Sequence, residues 1–120
     1  MRVLIVEDTD SVCCALKMAL EYLGHEIVET AGDGEEAVQK YLATRPDVVV
    51  MDVRMPRMDG LTCTALISRQ DPNARVIVVT AGRTTAQEAR EAGARAFVEK
   101  PFELSQLQQA FADATVGTQA

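Results

Sequence analysis

The chain has 120 residues, of which 48% are hydrophobic and 25% are charged, and its formal net charge is −6 at pH 7. These values are typical of one soluble globular domain, and the negative charge argues against direct binding to nucleic acid or anionic membranes. No apolar run is long enough to span a bilayer, and Glu7 interrupts the opening apolar run, so we expect a cytoplasmic protein without a signal peptide.

Five short apolar or β-branched runs alternate with helical patterns along the chain. The runs predict strands at 3–6, 26–30, 48–51, 76–79 and 96–98. The intervening patterns predict helices over about 12–23, over 35–43, from 60 to a turn at 71–73, over 84–92 and over 104–112. Such alternation is typical of parallel strands joined by crossover helices.

Each predicted helix carries apolar residues at helical spacing, which form the face expected to pack on the sheet. The first helix is expected to end at Gly24. The fourth is short and buries mainly alanines, which predicts loose packing. In chain order the inward residues are Val12, Leu16, Ala19, Leu20 and Leu23; Ala37, Val38, Tyr41 and Leu42; Leu61, Ala65 and Leu66; Ala86 and Ala89; and Leu104, Leu107 and Phe111.

The apolar patterning of the strands predicts their order in the sheet. The first, third and fourth strands are almost wholly apolar, as expected when both faces are covered, while the second alternates and belongs at an edge. With right-handed crossovers and five helices on both faces, this favours a flavodoxin-like, doubly wound α/β sheet of order 2-1-3-4-5. In such a fold, ligands bind beyond the carboxyl ends of strands one and three.

The cysteines and the histidine form no recognisable reactive pattern. Cys13, Cys14 and Cys63 are odd in number and wrongly spaced for a disulfide framework or a zinc site, so we interpret all three as reduced packing residues. His25 directly follows Gly24, which is typical of a solvent-facing turn residue.

Polar side chains stand at the carboxyl ends of four of the five predicted strands. Each has a simple structural explanation by itself, since Asp52, for example, could merely end a strand or begin a turn. Their joint placement at one edge instead favours a functional site. The set consists of Glu7 and Asp8 after strand one, Asp52 after strand three, Thr80 after strand four and Lys100 after strand five.

Three neighbouring carboxylates need positive charge, because two like charges about 4 Å apart repel by about 4 kcal/mol at an effective dielectric of about 20. An all-oxygen set without His or Cys ligands suits Mg²⁺ or Mn²⁺ better than zinc. Lys100 is expected to pair with Asp52 as a mobile point charge. A carboxylate between a cation and a lysine, with the Thr80 hydroxyl nearby, is suited to attack a phosphoryl group.

Five motifs also resemble a known family, the receiver domains of two-component response regulators, whose compact single-domain members are the chemotaxis regulators. The resemblance covers essentially the whole chain and implies a receiver domain over 1–114. The residues 115–120 then form a flexible tail or the start of a linker to an effector. The motifs are Val-Glu-Asp at 6–8, Met-Asp-Val-Arg-Met-Pro-Arg-Met-Asp-Gly at 51–60, Val-Thr-Ala at 79–81, Ala-Gly-Ala at 92–94 and Glu-Lys-Pro-Phe at 99–102.

The resemblance implies a phosphoacceptor rather than an enzyme. Asp52 would take a phosphoryl group from the phosphohistidine of a sensor histidine kinase or a phosphotransfer protein. Thr80 and Lys100 would contact the phosphoryl oxygens. The Mg²⁺ ligands would be Asp8 and Asp52 directly, Glu7 through water, and the backbone carbonyl of Arg54.

The resemblance further implies a switch that carries the signal to the surface. Thr80 would move towards the phosphoryl group and Phe97 would turn inward, which would alter the surface of helix 4, strand 5 and helix 5. A cis peptide bond is expected between Lys100 and Pro101, while Pro56 and Gly60 would shape the loop after Asp52. The resemblance also implies that two phosphorylated receivers could form a dimer. It does not specify the downstream effector.

Two positions beside the site depart from the common family pattern. Arg54 and Gly82 follow Asp52 and Thr80 by two residues, and neither offers a base or amide to orient an attacking water. This predicts slow self-dephosphorylation, with Arg54 leaning over the phosphoryl group. Phe97 has no hydroxyl, so switching there would rest on ring burial. Lys100 also follows Thr80 slightly sooner than is usual, and the shortening falls in the fourth helix.

Three other functions fit these residues less well. An aspartyl-phosphate phosphohydrolase usually carries a second Asp where this chain has Arg54. A flavin carrier should have a Ser-, Thr- and Gly-rich loop after strand one, whereas residues 7–11 are Glu-Asp-Thr-Asp-Ser. A phosphorylation-independent interaction module would not need the complete set of site residues. The interaction module and the phosphohydrolase stay open as alternatives.

Overall fold

A computed structural model describes residues 1–55 and 57–116 of the chain. Within these residues, five parallel strands form one sheet of order β2-β1-β3-β4-β5, and five helices connect them. The predicted fold class and strand order are therefore confirmed. The elements are β1 (Arg2–Val6), α1 (Asp10–Tyr22), β2 (Glu26–Ala31), α2 (Gly34–Thr44), β3 (Val48–Asp52), α3 (Gly60–Gln70), β4 (Val76–Thr80), α4 (Ala86–Ala92), β5 (Ala96–Glu99) and α5 (Leu104–Val116).

Helices cover both faces of the sheet, which explains the apolar central strands. All of β3 and β4, and β1 after Arg2, are buried, whereas β2 is mostly half-buried at its edge. One core cluster joins α2, α3 and α4 to side chains such as Leu4 and Met51. The other joins α1 and α5 to side chains such as Ile5 and Val50. Successive residues of each strand point to opposite faces of the sheet and therefore pack into two separate cores.

Several predicted inward residues are less buried than expected, although Leu61 still packs against the core. Leu42 and Leu104 are 41% and 43% exposed. In α3, the buried side chains are Cys63, Thr64 and Ile67, while the predicted Leu61, Ala65 and Leu66 are half-buried. The helix begins at the buried Gly60, whose backbone lies against Asp52, and Cys63, Thr64 and Ile67 lie on the same helical face as Gly60.

The structure also corrects the interpretation of His25 and of one cysteine. The His25 ring is half-buried and stacks on Phe111 of α5, with ring centroids 4.3 Å apart. Burial, and secondarily the charged amino terminus, lower the pKa of His25. Cys14 is exposed instead of packed, whereas Cys13 is half-buried and Cys63 is buried.

The last helix is longer than predicted. It continues past 112 to Val116, so the first two residues of the predicted tail, 115 and 116, are helical. The remaining tail, 117–120, and the predicted loop residue Pro56 lie outside the described residues. No helix in the described part of the chain is long and apolar enough to cross a membrane.

The fourth helix is short, as predicted. It has seven residues, and among their side chains only that of Ala89 is buried. A capping box stabilises its start, in which Thr85 accepts a hydrogen bond from the Glu88 amide and Glu88 accepts one from the Thr85 amide. Local capping therefore compensates for part of the missing apolar packing.

We expect α4 to exchange its amide protons much faster than β3 and β4, because little apolar area stabilises it against local opening. Hydrogen–deuterium exchange followed by mass spectrometry measures this difference. Removal of the capping box by Thr85→Ala should accelerate exchange in α4 without affecting β3. Equal protection of α4 and the central strands would show that the helix is not loosely packed.

Candidate functional site

Strand register brings the acidic residues to one place. Val6 of β1 pairs with Met51 of β3, so Glu7 and Asp52, the next residue on each chain segment, lie side by side. Asp52 is the last residue of β3 and is only 6% exposed. The central strands are apolar up to this point, and the first polar side chains therefore appear together at the carboxyl edge of the sheet.

Glu7, Asp8 and Asp52 form an acidic cluster. One carboxylate oxygen from each lies within 4.8 Å of the others. Glu7 and Asp52 are buried, whereas Asp8 is exposed at the mouth of the cluster. Burial raises the pKa of Glu7, the hydrogen bond from Lys100 opposes this, and the charge of Asp52 adds to the increase.

Lys100 lies across the acidic cluster from the end of β5. Its Nζ donates to Glu7 Oε1 at 2.9 Å and to Asp52 Oδ1 at 3.4 Å. The expected pairing with Asp52 is thus the longer of two contacts, because the buried Glu7 carboxylate also needs a cation. Burial alone would lower the pKa of Lys100, but the hydrogen bond to Glu7 and the charge of Asp52 raise it. The peptide bond between Lys100 and Pro101 is cis.

The acidic cluster fits a divalent cation. Three carboxylates face one lysine, so their charges are not balanced by the side chains that touch them. The donors are all oxygen atoms, which Mg²⁺ and Mn²⁺ prefer. Among the described residues, Glu7, Asp8 and Asp52 are the side chains that lie close enough together, as a group of at least three Asp, Glu, His or Cys residues, to bind one ion.

Thr80 and Gly82 form the neighbouring wall of the site. Thr80 ends β4 and is 1% exposed, and its Oγ1 accepts a hydrogen bond from the Gly82 amide at 3.0 Å. The Arg54 guanidinium lies against Gly82, where an added Cβ would stand 2.9 Å from Nη2. The absence of a side chain at position 82 therefore makes room for Arg54 over this wall.

Phe97 lies apart from the acidic cluster. It is half-buried on β5 and packs against the core formed with α2, α3 and α4. It also lines a groove of about 600 Å³ between β5 and α5, together with Val98, Glu99, Lys100, Pro101, Gln106, Gln109, Ala110 and Asp113. Lys100 thus touches both the acidic cluster and this groove.

Gly60 holds the loop after Asp52 against the strand end. A Cβ at this position would lie 2.1 Å from the Asp52 carbonyl oxygen, so only glycine permits the approach. The Gly60 amide donates to the Val53 carbonyl at 2.8 Å. Next to it, Asp59 caps α3 by accepting from the Thr62 amide at 2.8 Å.

Two residues of the surrounding loops were not found from the sequence. Arg57 has a left-handed backbone, with φ of 69°, and its guanidinium donates to Asp33 at 3.0 Å. Asp33 also caps α2, and its place before Gly34 and an apolar helical pattern is the one sequence signal that could have drawn attention to it. Nothing in the sequence indicates that Asp33 and Arg57 pair.

The sequence model of one protein family, the response regulator receiver domain, matches residues 3–112 of the chain. The chain belongs to the response regulator receiver family. Receiver domains of this family are phosphoacceptors of two-component systems rather than conventional enzymes. The resemblance stated from the motifs is therefore confirmed.

Relatives of this receiver domain differ in length. The chain is 41% identical over 111 residues to the chemotaxis protein CheY of Thermotoga maritima, covering 91% of this chain and 92% of that protein. It is 44% identical over 108 residues to the transcriptional regulatory protein PdtaR of Mycobacterium tuberculosis, covering 88% of this chain but only 52% of that protein. Similar receivers thus occur both alone and within longer proteins.

Solved structures show the same fold. CheY in a Borrelia burgdorferi CheX–CheY–BeF₃–Mg²⁺ complex superimposes with a TM-score of 0.92 at 36% identity, over 97% of this chain and 90% of that chain. The receiver domain of Thermotoga maritima CheB superimposes with a TM-score of 0.78 at 34% identity, over 93% and 89%.

Asp52→Asn should raise the melting temperature of the metal-free receiver domain, because it removes one of the mutually repelling carboxylates. We expect an increase in unfolding free energy on the order of 1 kcal/mol, or several degrees for a domain of this size. Asp8→Asn should act in the same direction but more weakly, since Asp8 is exposed. Calorimetry in EDTA measures both.

Asp113→Asn is the matched control, because it removes an exposed carboxylate on α5 and should leave the melting temperature nearly unchanged. A decrease for both Asp52→Asn and Asp8→Asn would contradict the repulsion argument.

Proposed function

We propose that this receiver domain accepts a phosphoryl group on Asp52 from the phosphohistidine of a sensor histidine kinase or phosphotransfer protein. The observation that carries the proposal is the buried Asp52 carboxylate, which is flanked by two further carboxylates and contacted by the Lys100 ammonium. A buried carboxylate in such surroundings is costly, and phosphoryl transfer gives a reason for its presence.

Three side chains would have different roles in the transfer. An Asp52 carboxylate oxygen would attack phosphorus in line with the leaving imidazole, so that an O–P bond forms as the N–P bond breaks. The Lys100 ammonium and the Thr80 hydroxyl would stabilise charge on the transferring oxygens. For Thr80 to do so, its Oγ1 would turn from the Gly82 amide that it now accepts from.

A divalent cation would complete the site. Glu7, Asp8, Asp52 and the Arg54 carbonyl would hold Mg²⁺ or Mn²⁺, with Glu7 acting through water. The bound ion would neutralise the acidic cluster and orient the phosphoryl oxygens. The all-oxygen donor set and the unbalanced negative charge support this assignment.

Phosphorylation would change the conformation of the protein surface through β5. Movement of Thr80 towards the phosphoryl group would let Phe97 turn inward and reshape the surface of α4, β5 and α5, where a partner or second receiver would bind. The half-buried position of Phe97 beside the groove supports this role. Residues 1–114 would suffice for the switch, although α5 continues to Val116.

Incubation with Mg²⁺ and a small phosphodonor such as acetyl phosphate should add the mass of one phosphoryl group. EDTA should abolish the addition, because the negative cluster would repel the donor. Asp52→Asn should also abolish it, whereas the control Asp113→Asn should not. Intact-mass spectrometry measures the product, and undiminished labelling of Asp52→Asn would overturn the proposal.

The phosphorylated receiver should be long-lived, because Arg54 and Gly82 offer no group that activates water. Arg54→Asn introduces an amide beside Asp52 and removes the guanidinium that lies against Gly82. It should therefore shorten the phosphorylated half-life on the order of tenfold, equivalent to about 1.4 kcal/mol.

Decay of the phosphorylated mass after removal of the donor measures this half-life. Arg83→Asn, at an exposed arginine of the β4–α4 loop, is the matched control and should leave the half-life unchanged. A wild-type half-life of only seconds would contradict the prediction.

A further inference from the structure

Asp33, in the loop between β2 and α2, contacts the loop that follows Asp52. Its Oδ1 accepts from the Glu36 amide at 2.8 Å and caps α2, while its Oδ2 accepts from Arg57 Nη1 at 3.0 Å. The Asp33 side chain is only 15% exposed, although that of Arg57 is 67% exposed. Because the cap fixes the carboxylate to α2, Asp33 offers Arg57 a rigid anchor.

Arg57 needs such an anchor. Its φ of 69° lies in the left-handed region, which a long side chain adopts at a cost. The following residue, Met58, packs so closely on α2 that a Cβ at Gly34 would stand 2.6 Å from Met58 Cβ. The ion pair and this packing together hold residues 57 and 58 against the first turn of α2.

These contacts restrain the β3–α3 loop at residues 57, 58 and 60. The loop is fixed at its far end by Gly60, whose backbone abuts Asp52, and on its outer side by Asp33 and Met58. Along the chain, Arg54 lies between Asp52 and the restrained residues Arg57 and Met58. A change in the turn at Arg57 would therefore move the backbone that carries the Arg54 carbonyl.

We propose that Asp33 is a positioning residue for the metal site, acting through Arg57 on the Arg54 carbonyl. This inference rests on the proposed function, in which that carbonyl binds the cation. Asp33 and Arg57 themselves do not touch the ion. Their effect is to hold the loop in the conformation that presents the carbonyl.

Mg²⁺ titration of Asp33→Asn, Arg57→Gln and the double variant by calorimetry tests the inference. Asparagine still caps a helix, so Asp33→Asn removes the ion pair and keeps the cap. Each single variant should weaken Mg²⁺ binding about threefold, the size expected from one partly exposed ion pair. The double variant should bind no more weakly than the single ones, because both changes break the same contact.

The two single variants separate positioning from simple charge effects. If only long-range charge mattered, loss of the Asp33 charge would weaken Mg²⁺ binding and loss of the Arg57 charge would strengthen it. Tighter binding by Arg57→Gln would thus overturn the inference, as would unchanged binding in both variants. Glu29→Gln, which breaks the ion pair between Glu29 of β2 and Lys40 of α2, and Arg69→Gln in α3 are charge-matched controls expected to bind as wild type.

The wild type distinguishes failure of this inference from failure of the proposed function. A wild-type chain that binds no Mg²⁺ would overturn the proposed metal site together with this inference. A wild type that binds Mg²⁺, with variants that do not follow the pattern above, would overturn only the role of Asp33. Melting temperatures recorded in EDTA verify that each variant is folded.

Discussion

The structure depends on one electrostatic constraint, which is the confinement of three carboxylates at the carboxyl edge of a buried sheet. Glu7 and Asp52 are buried side by side because their strands are in register, and Asp8 stands at the mouth of the same cluster. A single ammonium, from Lys100, contacts the two buried carboxylates. Sheet formation therefore brings together negative charges that the contacting Lys100 ammonium neutralises only in part, and this imbalance favours binding of a cation.

The backbone around the acidic cluster is correspondingly restrained. Gly60 allows the start of α3 to press on the Asp52 carbonyl, and Asp59 caps that helix at the same point. Asp33 caps α2 and binds Arg57, so the loop after Asp52 is held from two sides. The three carboxylates of the acidic cluster come from outside α2 and α3, yet the first turn of each helix contacts the loop after Asp52. Capping in this fold thus stabilises helices and shapes the site at once.

The opposite side of the site is built from smaller and less restrained parts. Thr80 is buried, and its hydroxyl accepts a hydrogen bond from the amide of Gly82, a residue whose missing side chain leaves space for Arg54. Beyond it, α4 has seven residues and one buried side chain. Rigid elements therefore surround the carboxylates, and weakly packed ones lie next to Thr80 and Phe97. This asymmetry suits the proposed switch, in which the acidic cluster would keep its geometry while the surface of α4, β5 and α5 changes conformation.

The sequence by itself determined the fold class, the strand order and the residues of the acidic cluster. Apolar runs report burial directly, and parallel strands must align their carboxyl ends, so Glu7, Asp8, Asp52, Thr80 and Lys100 could be placed at one edge without coordinates. The tertiary structure decided which side chains contact one another. Lys100 lies closer to Glu7 than to Asp52, His25 stacks on Phe111, Arg54 lies against Gly82, and Asp33 binds Arg57. These contacts join residues far apart in the chain and depend on side-chain direction and on one left-handed residue, neither of which hydrophobic periodicity encodes.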